Sequence, residues 1–354
     1  MQKSFIYFGL FRIERSTITG FGAFNMSNKI KLLRILEIMQ KTDEHNPLKI
    51  SDVISKLSLY GIDAERKSVS RDIQTLIDGG YSILSAGKQN GYYMTDHAFE
   101  DYELKIISDA VCSAKFITKT DSINLVNRLK SIATPTAEKI LSGMMWIDDE
   151  IKTDNNSSKY TVDTIINAIK SERKINFRYI DYNEDYEKVL RRDGHLYCVS
   201  PYYLVWNEED YYLLGSPDSH DNLTHFQISM MVDTSISDDA RKRREDIIQL
   251  KGTFDLGKHI RENISMFTGE VTDVVLKCHN KMLRFVIRKF GKSTHISKID
   301  DEHFRTRIRA TDNDGLYQWI MQNCQNVQVI SPESIKVNVR DLLTNALKEY
   351  ETGL

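Results

Sequence analysis

The chain has 354 residues, with 48 Lys and Arg against 50 Asp and Glu, and a formal net charge of −2. This length predicts two or three domains, at about 150 residues each. Because 41% of the residues are hydrophobic, each domain can bury a core. The near balance of charge argues against a polybasic coat or an acidic disordered chain, although one basic face would be enough to bind DNA.

No stretch reaches the roughly 18 consecutive apolar residues of a membrane span, so no membrane partner is expected. Residues 1–25 are rich in aromatic residues but lack a helical period, and are either a translated upstream segment or a loosely packed extension. The cysteines form no Cys-x-x-Cys or Cys/His cluster, so no metal is expected. Scattered cysteines without a secretion signal indicate reduced thiols and a cytoplasmic location. They are Cys112, Cys198, Cys278 and Cys324.

Short helices are predicted in the first part of the chain. Apolar residues recur at helical spacing from Lys29 to Met39, a second helix begins near Ser51, and a third runs from about Ala64 to Asp78. Two β-rich segments around a Gly-bounded turn then predict a hairpin. Three short helices followed by a hairpin are typical of a winged helix-turn-helix, which is predicted for residues 26–96.

The rest of the chain predicts three further parts, so the fold class is α+β. Residues 97–159 predict a helical linker that ends in a polar, Asn- and Ser-rich segment. Residues 160–236 predict one helix and about five short strands, typical of a small β-barrel. Residues 237–354 predict a charged helical connector over 238–265 and then a C-terminal α/β sandwich of the split βαβ kind.

Polar residues lie outside the apolar stripe of the third predicted helix. One helix fits the major groove, where Arg and Gln read base edges and Ser and Lys suit phosphates. A hairpin tip can touch the DNA backbone or the minor groove, but a solvated helix face and a polar turn would leave the same pattern. Asp72 is a poor neighbour for a phosphate and is expected to pair with a basic group or cap a neighbouring helix. The candidate DNA-binding residues are Arg66, Lys67, Ser68, Ser70, Arg71 and Gln74, with Lys88, Gln89 and Asn90 at the hairpin tip.

The run SVSRDIQTLIDGGYSI, followed by GKQNGYYM, resembles the helix-turn-helix of DeoR-type bacterial repressors. In that family a Thr/Ser-x-x-Arg-Asp recognition helix precedes a Gly and a wing that ends in Gly-Tyr. The resemblance covers about 70 residues and implies a DNA-binding head. The residues that carry it are Ser68, Arg71, Asp72, Gly80, Gly91 and Tyr92.

The run VSPYYLVWNEEDYYLLG, followed by LTHFQISMM, resembles the WYL domain, an Sm-like β-barrel found behind such heads. The Trp-Tyr-Leu triplet that names the family is here Tyr211-Tyr212-Leu213, and the preceding Val-x-Pro element is Val199-Ser200-Pro201. The strand from Ile175 to Tyr179 also fits. Residues 270–350 resemble the C-terminal extension that often follows the barrel.

One strand departs from the family, in which basic residues form a pocket for a nucleotide or nucleic-acid effector. Gln227 and Met230 stand where the family has basic residues, and Ser229 stands where it has Asp. Because a phosphate pocket relies on charge and forked donors, a less charged ligand, or none, is as compatible as an oligonucleotide. The candidate effector-binding residues are Arg178, Ser200, Tyr212, His225, Gln227, Arg305 and Arg307.

Three side-chain groups keep more than one interpretation. The barrel aromatics either fill the core or form a stacking platform for bases. The run Arg241–Arg244 has acidic neighbours, which favours a solvated helix with i,i+4 pairs. Arg305, Arg307 and Arg309 alternate on one strand face, where their like charges require a dimer partner, neighbouring acids or nucleic acid. These arginines could also supply the charge that the barrel strand lacks. The aromatics are Tyr202, Tyr203, Trp206, Tyr211 and Tyr212.

These patterns predict a transcriptional regulator that binds double-stranded DNA as a homodimer and senses an effector, a nucleotide or oligonucleotide, through its WYL domain. The alternative is a ligand- or RNA-binding accessory protein that modulates a nuclease or a defence system without sequence-specific DNA binding. The chain has no Gly-x-Ser-x-Gly, His-Glu-x-x-His, Walker or Gly-x-Gly-x-x-Gly motif, so neither catalysis nor a cofactor is expected.

Overall fold

The computed structural model describes residues 23–87, 90–143, 146–148 and 151–352. These residues fall into two compact units. One runs to Cys112 and includes Ser122–Ile147, and the other comprises Ser113–Asp121 and the residues from Asp148 onward. The predicted extension over residues 1–25 lies almost entirely outside the described residues.

The first unit is built on helices, and two clusters of buried side chains are described in it, of which the larger lies between the first three helices and the hairpin. Its core side chains come from every third or fourth position of the helices, as the sequence predicts, and include Ile35, Met39, Val53, Leu57 and Ile73. The predicted order of helices and hairpin is confirmed. The elements are α1 (Ala23–Met39), α2 (Ile50–Ser58), α3 (Arg66–Asp78), β1 (Ile83–Ser85), β2 (Tyr92–Met94), most of α4 (Asp101–Ser113), most of α5 (Lys119–Ile132) and α6 (Pro135–Gly143).

The hairpin of β1 and β2 is held to the segment before α2 through Tyr92, the first residue of β2. Leu48 and Tyr92 exchange two backbone hydrogen bonds of 2.8 Å each. Gly91 lies beside them with a φ of +95°, and a Cβ at this position would be 2.2 Å from the carbonyl oxygen of Leu48. Only glycine fits, because both the backbone conformation and the close approach exclude a side chain.

The second unit begins with a curled antiparallel sheet around one helix. Strand β3 pairs with β4, β5 and β8, and the path continues from β5 through β6 to β7. The register of β3 against β8 shifts twice, and such bulges increase strand bending. Closure into an Sm-like barrel stays a prediction, and β8 was not predicted. The elements are α7 (Ser158–Ser171), β3 (Arg173–Tyr182), β4 (Lys188–Leu190), β5 (Tyr197–Asn207), β6 (Asp210–Pro217), β7 (Thr224–Gln227) and β8 (Met231–Ala240).

Alternate strand residues and the inner face of α7 form the core of this sheet. Ile165, Ile175, Phe177 and Leu213 are fully buried there. The polar segment before α7 also takes part, since the amide of Asn155 donates to the carbonyl oxygens of Ser229 and Met231 at 2.9 and 3.0 Å. This pair of bonds satisfies backbone acceptors that would otherwise be buried without a donor.

The prediction of a helix over residues 238–265 is wrong for most of this range. Strand β8 continues to Ala240, two short 3-10 turns follow, and α-helix is confined to α8 (Leu256–Glu262). This segment of β8 pairs with β3, so its backbone is extended although its charge pattern favoured a helix. The basic run is therefore not paired within a helix: Arg241 pairs with Glu172 at 2.7 Å and Lys242 with Asp221 at 2.9 Å.

The C-terminal part is an antiparallel sheet with helices on one face, in the strand order β10-β11-β9-β12. The chain order of strand and helix is that of the predicted split βαβ arrangement. The short strand β10 was not predicted, because it has only four residues and no apolar alternation. The elements are β9 (Glu270–His279), α9 (Leu283–Phe290), β10 (His295–Lys298), β11 (His303–Asp312), α10 (Asp314–Gln322), β12 (Val327–Ser331) and α11 (Glu333–Thr352).

Candidate functional site

The outer face of α3 is the first candidate site. Val69, Ile73 and Leu76 are buried against the core of the first unit, which turns the remaining positions of the helix outward. The predicted DNA-binding side chains of Arg66, Lys67, Arg71 and Gln74 are exposed, and Ser70 is half-buried. The amide of Gln74 donates to Asp78 at 2.8 Å, one helical turn away. A basic and amide-bearing face is thus presented to solvent.

Two residues of the same motif hold α3 in place instead of facing outward. Lys31 on α1 is only 7% exposed, and its ammonium group lies 3.0 Å from Oδ2 of Asp72. The same group donates to the hydroxyl of Ser68. The expected pairing of Asp72 with a basic group is confirmed. Ser68 is drawn toward α1 and is less available to a phosphate than predicted.

The hairpin tip is described only in part. Lys88 and Gln89 lie outside the described residues, so their predicted contacts with DNA stay predictions. Asn90 is exposed, and its backbone N–H donates to the carbonyl of Gly87 at 3.1 Å, which closes the turn. Its side chain is exposed to solvent, as a contact with DNA would require.

The strand that departs from the WYL pattern carries an acidic network. The side-chain amide of Gln227 donates to Asp210, and the hydroxyl of Ser229 donates to the same carboxylate at 3.1 Å. Burial raises the pKa of Asp210, and these hydrogen bonds partly offset the rise. The side chain of Met230 is half-buried. An anion at this place would meet a carboxylate instead of the basic pair that the family carries.

Other predicted effector residues are not gathered into one site. Arg178 pairs with Asp233 at 3.0 Å, and Ser200 is fully buried and accepts the backbone N–H of Lys242 at 3.0 Å. Tyr212 is half-buried beside a small apolar cluster, and burial raises its pKa to about 12. Of the barrel aromatics, Tyr202 is buried whereas Trp206 is 45% exposed.

A cavity of about 630 Å³ in the curled sheet is the second candidate site, and its volume lies within the range of small-ligand pockets. His225 is the one predicted effector residue that lines it. Two arginines, three histidines and three aromatic rings converge there. The lining residues are Tyr179, Arg191, Arg192, His195, Leu196, Tyr197, Cys198, Pro217, Asp218, Ser219, His220, Thr224, His225 and Phe226.

Arg191 and Arg192 give this cavity its charge, and the sequence analysis missed them. They lie in a tight turn after β4, where Arg192 and Asp193 both have a φ of +53°. The guanidinium of Arg191 lies 5.9 Å from the ring centre of Tyr179, and neither arginine has an acidic partner among the described residues. The sequence signal that could have identified them is a pair of adjacent arginines directly before an Asp-Gly turn.

The remaining charge and the walls of the cavity are fixed by neighbours. Asp218, the cavity's carboxylate, is paired with Lys174 at 2.9 Å. The ring of Tyr197 stacks on Phe177, with centroids 5.4 Å apart, and is thereby held at the wall. Cationic forks and flat aromatic walls suit a ligand that combines a phosphate or carboxylate with a planar ring.

A hydrogen-bonded chain joins the cavity wall to α8. Nδ1 of His225 must donate to the carbonyl of Met266, at 2.7 Å, so its Nε2 accepts from Nε2 of His259 at 2.9 Å. Nδ1 of His259 then accepts from the amide of Asn263 at 3.4 Å. In this chain each ring nitrogen acts either as a hydrogen-bond donor or as an acceptor, and this pattern requires both imidazoles to be neutral. Burial lowers the pKa of both rings, that of His259 to about 4.

This chain predicts a loss of stability in mild acid. The folded state keeps His259 neutral, so below its unfolded pKa of about 6.5 the unfolded state binds more protons, and stability falls until about pH 4. The cost is about 1 to 2 kcal/mol, because partial exposure screens the full value. His259→Gln keeps a donor but does not titrate, so denaturant titrations at both ends of this window should give the variant the smaller loss. His295→Gln, an exposed control, should behave like wild type. Equal losses in wild type and His259→Gln would contradict the assignment.

Arg305 and Arg307 lie apart from the curled sheet. They alternate on β11 with buried residues, as predicted, and project from the face of the C-terminal sheet opposite its helices. Arg307 lines a cavity of 350 Å³ together with Lys258 and Arg261. The predicted effector residues therefore divide between two places in the second unit.

Two further properties concern the described residues as a whole. No group of three or more His, Cys, Asp or Glu side chains among them is placed to hold a metal ion. None of their helices combines the length and apolar character needed to cross a membrane.

Comparison with known proteins identifies two domains. Residues 160–236 match the model of the WYL domain, and residues 270–347 match the model of the WCX domain. The resemblance to the WYL domain and its C-terminal extension is thereby confirmed, whereas the resemblance of residues 26–96 to DeoR-type repressors stays a prediction. No curated protein matches the chain significantly.

One similar solved structure is proteasome accessory factor B/C (PafBC) of Arthrobacter aurescens. It shares 16% sequence identity with this chain and has a TM-score of 0.30. The match covers 91% of this chain and 49% of that one, so this chain spans about half the length of that protein.

Proposed function

We propose that the protein is a DNA-binding transcriptional regulator whose WYL domain senses an effector. The observation that carries the proposal is the exposed face of α3, with Arg66, Lys67, Arg71 and Gln74, in a unit of helices followed by a hairpin. This order of elements is typical of a winged helix-turn-helix, in which one helix enters the major groove. The WYL and WCX domains that follow support a regulatory role.

The proposed effector site is the 630 Å³ cavity of the curled sheet. Arg191 and Arg192 would bind an anionic group, and Tyr179 and Tyr197 would pack against a planar ring. This fits a nucleotide better than a long oligonucleotide, since the volume is that of a small-molecule pocket. The acidic network of Asp210 argues against a phosphate at the strand where the family carries basic residues.

The proposed regulator acts by binding alone, as a cytoplasmic homodimer on two half-sites. An effector that prefers one of two arrangements of the protein would shift its affinity for the operator. A coupling free energy of about 1 to 3 kcal/mol would change that affinity about 5- to 150-fold. By reciprocity, the operator would change effector affinity by the same factor.

Selection of bound sequences from a random duplex pool, with the full-length protein at physiological salt, tests this function. We expect enrichment of a two-fold symmetric site whose half-sites lie about 10 base pairs apart or a multiple of that. Recovery of no common sequence would contradict the proposal. It would favour a ligand- or RNA-binding accessory protein that modulates a nuclease or a defence system.

A further inference from the structure

Strand β12 forms an open edge of the C-terminal sheet. It is last in the strand order β10-β11-β9-β12, so β9 is its one paired strand among the described residues. The carbonyl of Asn326 accepts a hydrogen bond from the backbone N–H of His279 at 2.9 Å, and such bonds alternate along an antiparallel pair. Gln328 is therefore the next residue bonded to β9, and the backbone groups of Val327 and Val329 point away from it.

Most of these outward backbone groups have no partner within the described part of the chain. The N–H of Val327 donates to the carbonyl of Asn323 at 2.9 Å. No described residue bonds to the carbonyl of Val327 or to either backbone group of Val329. Unpaired groups on an edge strand are a template for pairing with a further strand, so the sheet can accept one more strand beside β12.

A cavity of 590 Å³, which we call the edge cavity, lies along this edge. One of its walls is β12, and α11 contributes the other through Val339 and Leu343, which are four residues apart. Val339 is buried, whereas Leu343 is 38% exposed and offers an apolar surface. A channel between an edge strand and a helix suits an extended peptide that binds by adding a strand to the sheet.

The lining of the edge cavity is positively charged. Lys277, Lys336 and Arg340 line it, and no Asp or Glu of the described residues does. Lys336 pairs with Glu333 at 3.1 Å, and Arg340 lies 3.3 Å from Asp341. Both are exposed pairs on α11, which contribute little and leave the cations available. Lys277 has no hydrogen bond or ion pair with a described residue.

Two histidines that also line the edge cavity are already engaged. Nδ1 of His303 lies 2.9 Å from Oδ1 of Asp300. Nδ1 of His279 accepts the backbone N–H of Lys281 at 3.2 Å. The positive charge of the edge cavity therefore rests on its lysines and its arginine and not on the imidazoles.

The two faces of the sheet indicate the side chains of the added strand, because successive residues of a strand point to opposite faces. On the helix-covered face they meet Val339 and Leu343, which favours apolar residues. On the open face they lie next to Gln328 and to Lys277, which is directly opposite it on β9. Opposite charges on neighbouring strands stabilise a sheet, so this face favours acidic residues.

We propose that the edge cavity binds an extended peptide of a partner protein, in which apolar and acidic residues alternate, as an additional strand beside β12. Its backbone pairs with Val327 and Val329, and its apolar side chains contact α11. The edge cavity shares no residue with α3 or with the cavity that contains Arg191 and Arg192. The inference therefore goes beyond the proposed function and does not rest on it.

Fluorescence anisotropy tests the inference with the full-length protein and a labelled hexapeptide of three Glu-Val repeats, acetylated and amidated at its ends. We expect saturable binding below about 1 mM, and none of a hexapeptide of three Lys-Val repeats. Replacing Lys277, Lys336 and Arg340 together with Gln should weaken binding about 10-fold. Absence of saturable binding, or unchanged affinity in the variant, would overturn the inference.

A matched control removes the same charge from another part of the same domain. Lys281, Arg284 and Arg288 are exposed on or next to α9 and do not line the edge cavity. Replacing all three with Gln should leave the affinity for the Glu-Val peptide unchanged. An equal loss in this control would contradict the assignment, since net charge alone would then explain binding. Circular dichroism checks that both variants are folded.

Two modified peptides test strand addition without altering the protein. Successive backbone N–H groups of a strand point to opposite sides, so N-methylation of the three valines and N-methylation of the three glutamates block different edges of the peptide. One of these peptides should bind at least about 10-fold more weakly, and the other should bind like the unmodified peptide. Equal effects of the two modifications would rule out strand addition.

Other occupants of the edge cavity give different results. Saturating Glu-Val peptide should leave the oligomeric state unchanged in sedimentation velocity. Dissociation of a homodimer by the peptide would overturn the inference and assign the edge cavity to a second copy of the chain. Displacement of the peptide by inorganic phosphate or by a short single-stranded DNA, at the same concentration of charge, would also overturn it and indicate a phosphate-binding surface.

Discussion

Replacing Arg71 with Ala is expected to weaken binding of the selected operator about 5- to 150-fold at physiological salt, which corresponds to about 1 to 3 kcal/mol for one bidentate contact with a base. Arg71 is exposed on α3, one helical turn from Lys67, and its side chain has no partner among the described residues. The charge is therefore free to meet DNA without breaking an internal contact. Fluorescence anisotropy with the operator and with a scrambled duplex measures both affinities.

Two further variants identify what Arg71 contributes. Arg71→Lys keeps the charge but loses the forked donor, so it should restore binding to the scrambled duplex and not the preference for the operator. Arg128→Ala removes an exposed charge from α5 in the same unit and should change neither affinity. If Arg71→Ala bound the operator as tightly as wild type, α3 would not be the recognition helix.

Replacing Gly91 with Ala is expected to lower the free energy of opening of the hairpin by about 3 kcal/mol. A left-handed backbone costs a residue with a Cβ about 1 to 2 kcal/mol, and each lost backbone hydrogen bond adds about 1 kcal/mol. The new Cβ would be 2.2 Å from the carbonyl oxygen of Leu48, so the pairing of Leu48 with Tyr92 cannot persist unchanged. Hydrogen exchange of the Leu48 and Tyr92 amides measures the effect locally.

Gly87 offers a matched control in the same hairpin. Its φ is +104°, but a Cβ there would meet nothing within 4 Å. Gly87→Ala should therefore show only the cost of the strained backbone, about 1 kcal/mol. Equal losses at the two positions would contradict the argument from close approach and leave backbone strain as the whole effect.

Local pattern was sufficient for the first unit and for the outer face of α3. Val69, Ile73 and Leu76 recur at helical spacing, so the positions between them could be assigned to the surface without a structure. The role of Ser68 could not be assigned in this way. It depends on Lys31, which is 37 positions away and reaches α3 only because α1 packs against it.

The features of the second unit that were not predicted from the sequence depend on pairing between residues far apart in the chain. Ile236 pairs with Ile175 across β8 and β3, and this contact outweighs the acidic and basic residues that favoured a helix after it. The cavity was missed for a similar reason, because the turn with Arg191 comes next to Tyr179 and His225 only once the sheet curls. Motif resemblance predicted the domain there, but the predicted strand that it singled out contains Gln227 and Met230, and Arg191 and Arg192 lie outside that strand.

The hydrogen-bonded chain through His225 limits how any ligand can use that wall of the cavity. Its Nδ1 proton is committed to Met266 and its Nε2 lone pair to His259. A molecule in the cavity therefore meets His225 as a planar carbon surface with no vacant donor or acceptor. Selectivity at this wall rests on shape, and a ligand that competes for either nitrogen has to break the hydrogen bond to Met266 or the one to His259.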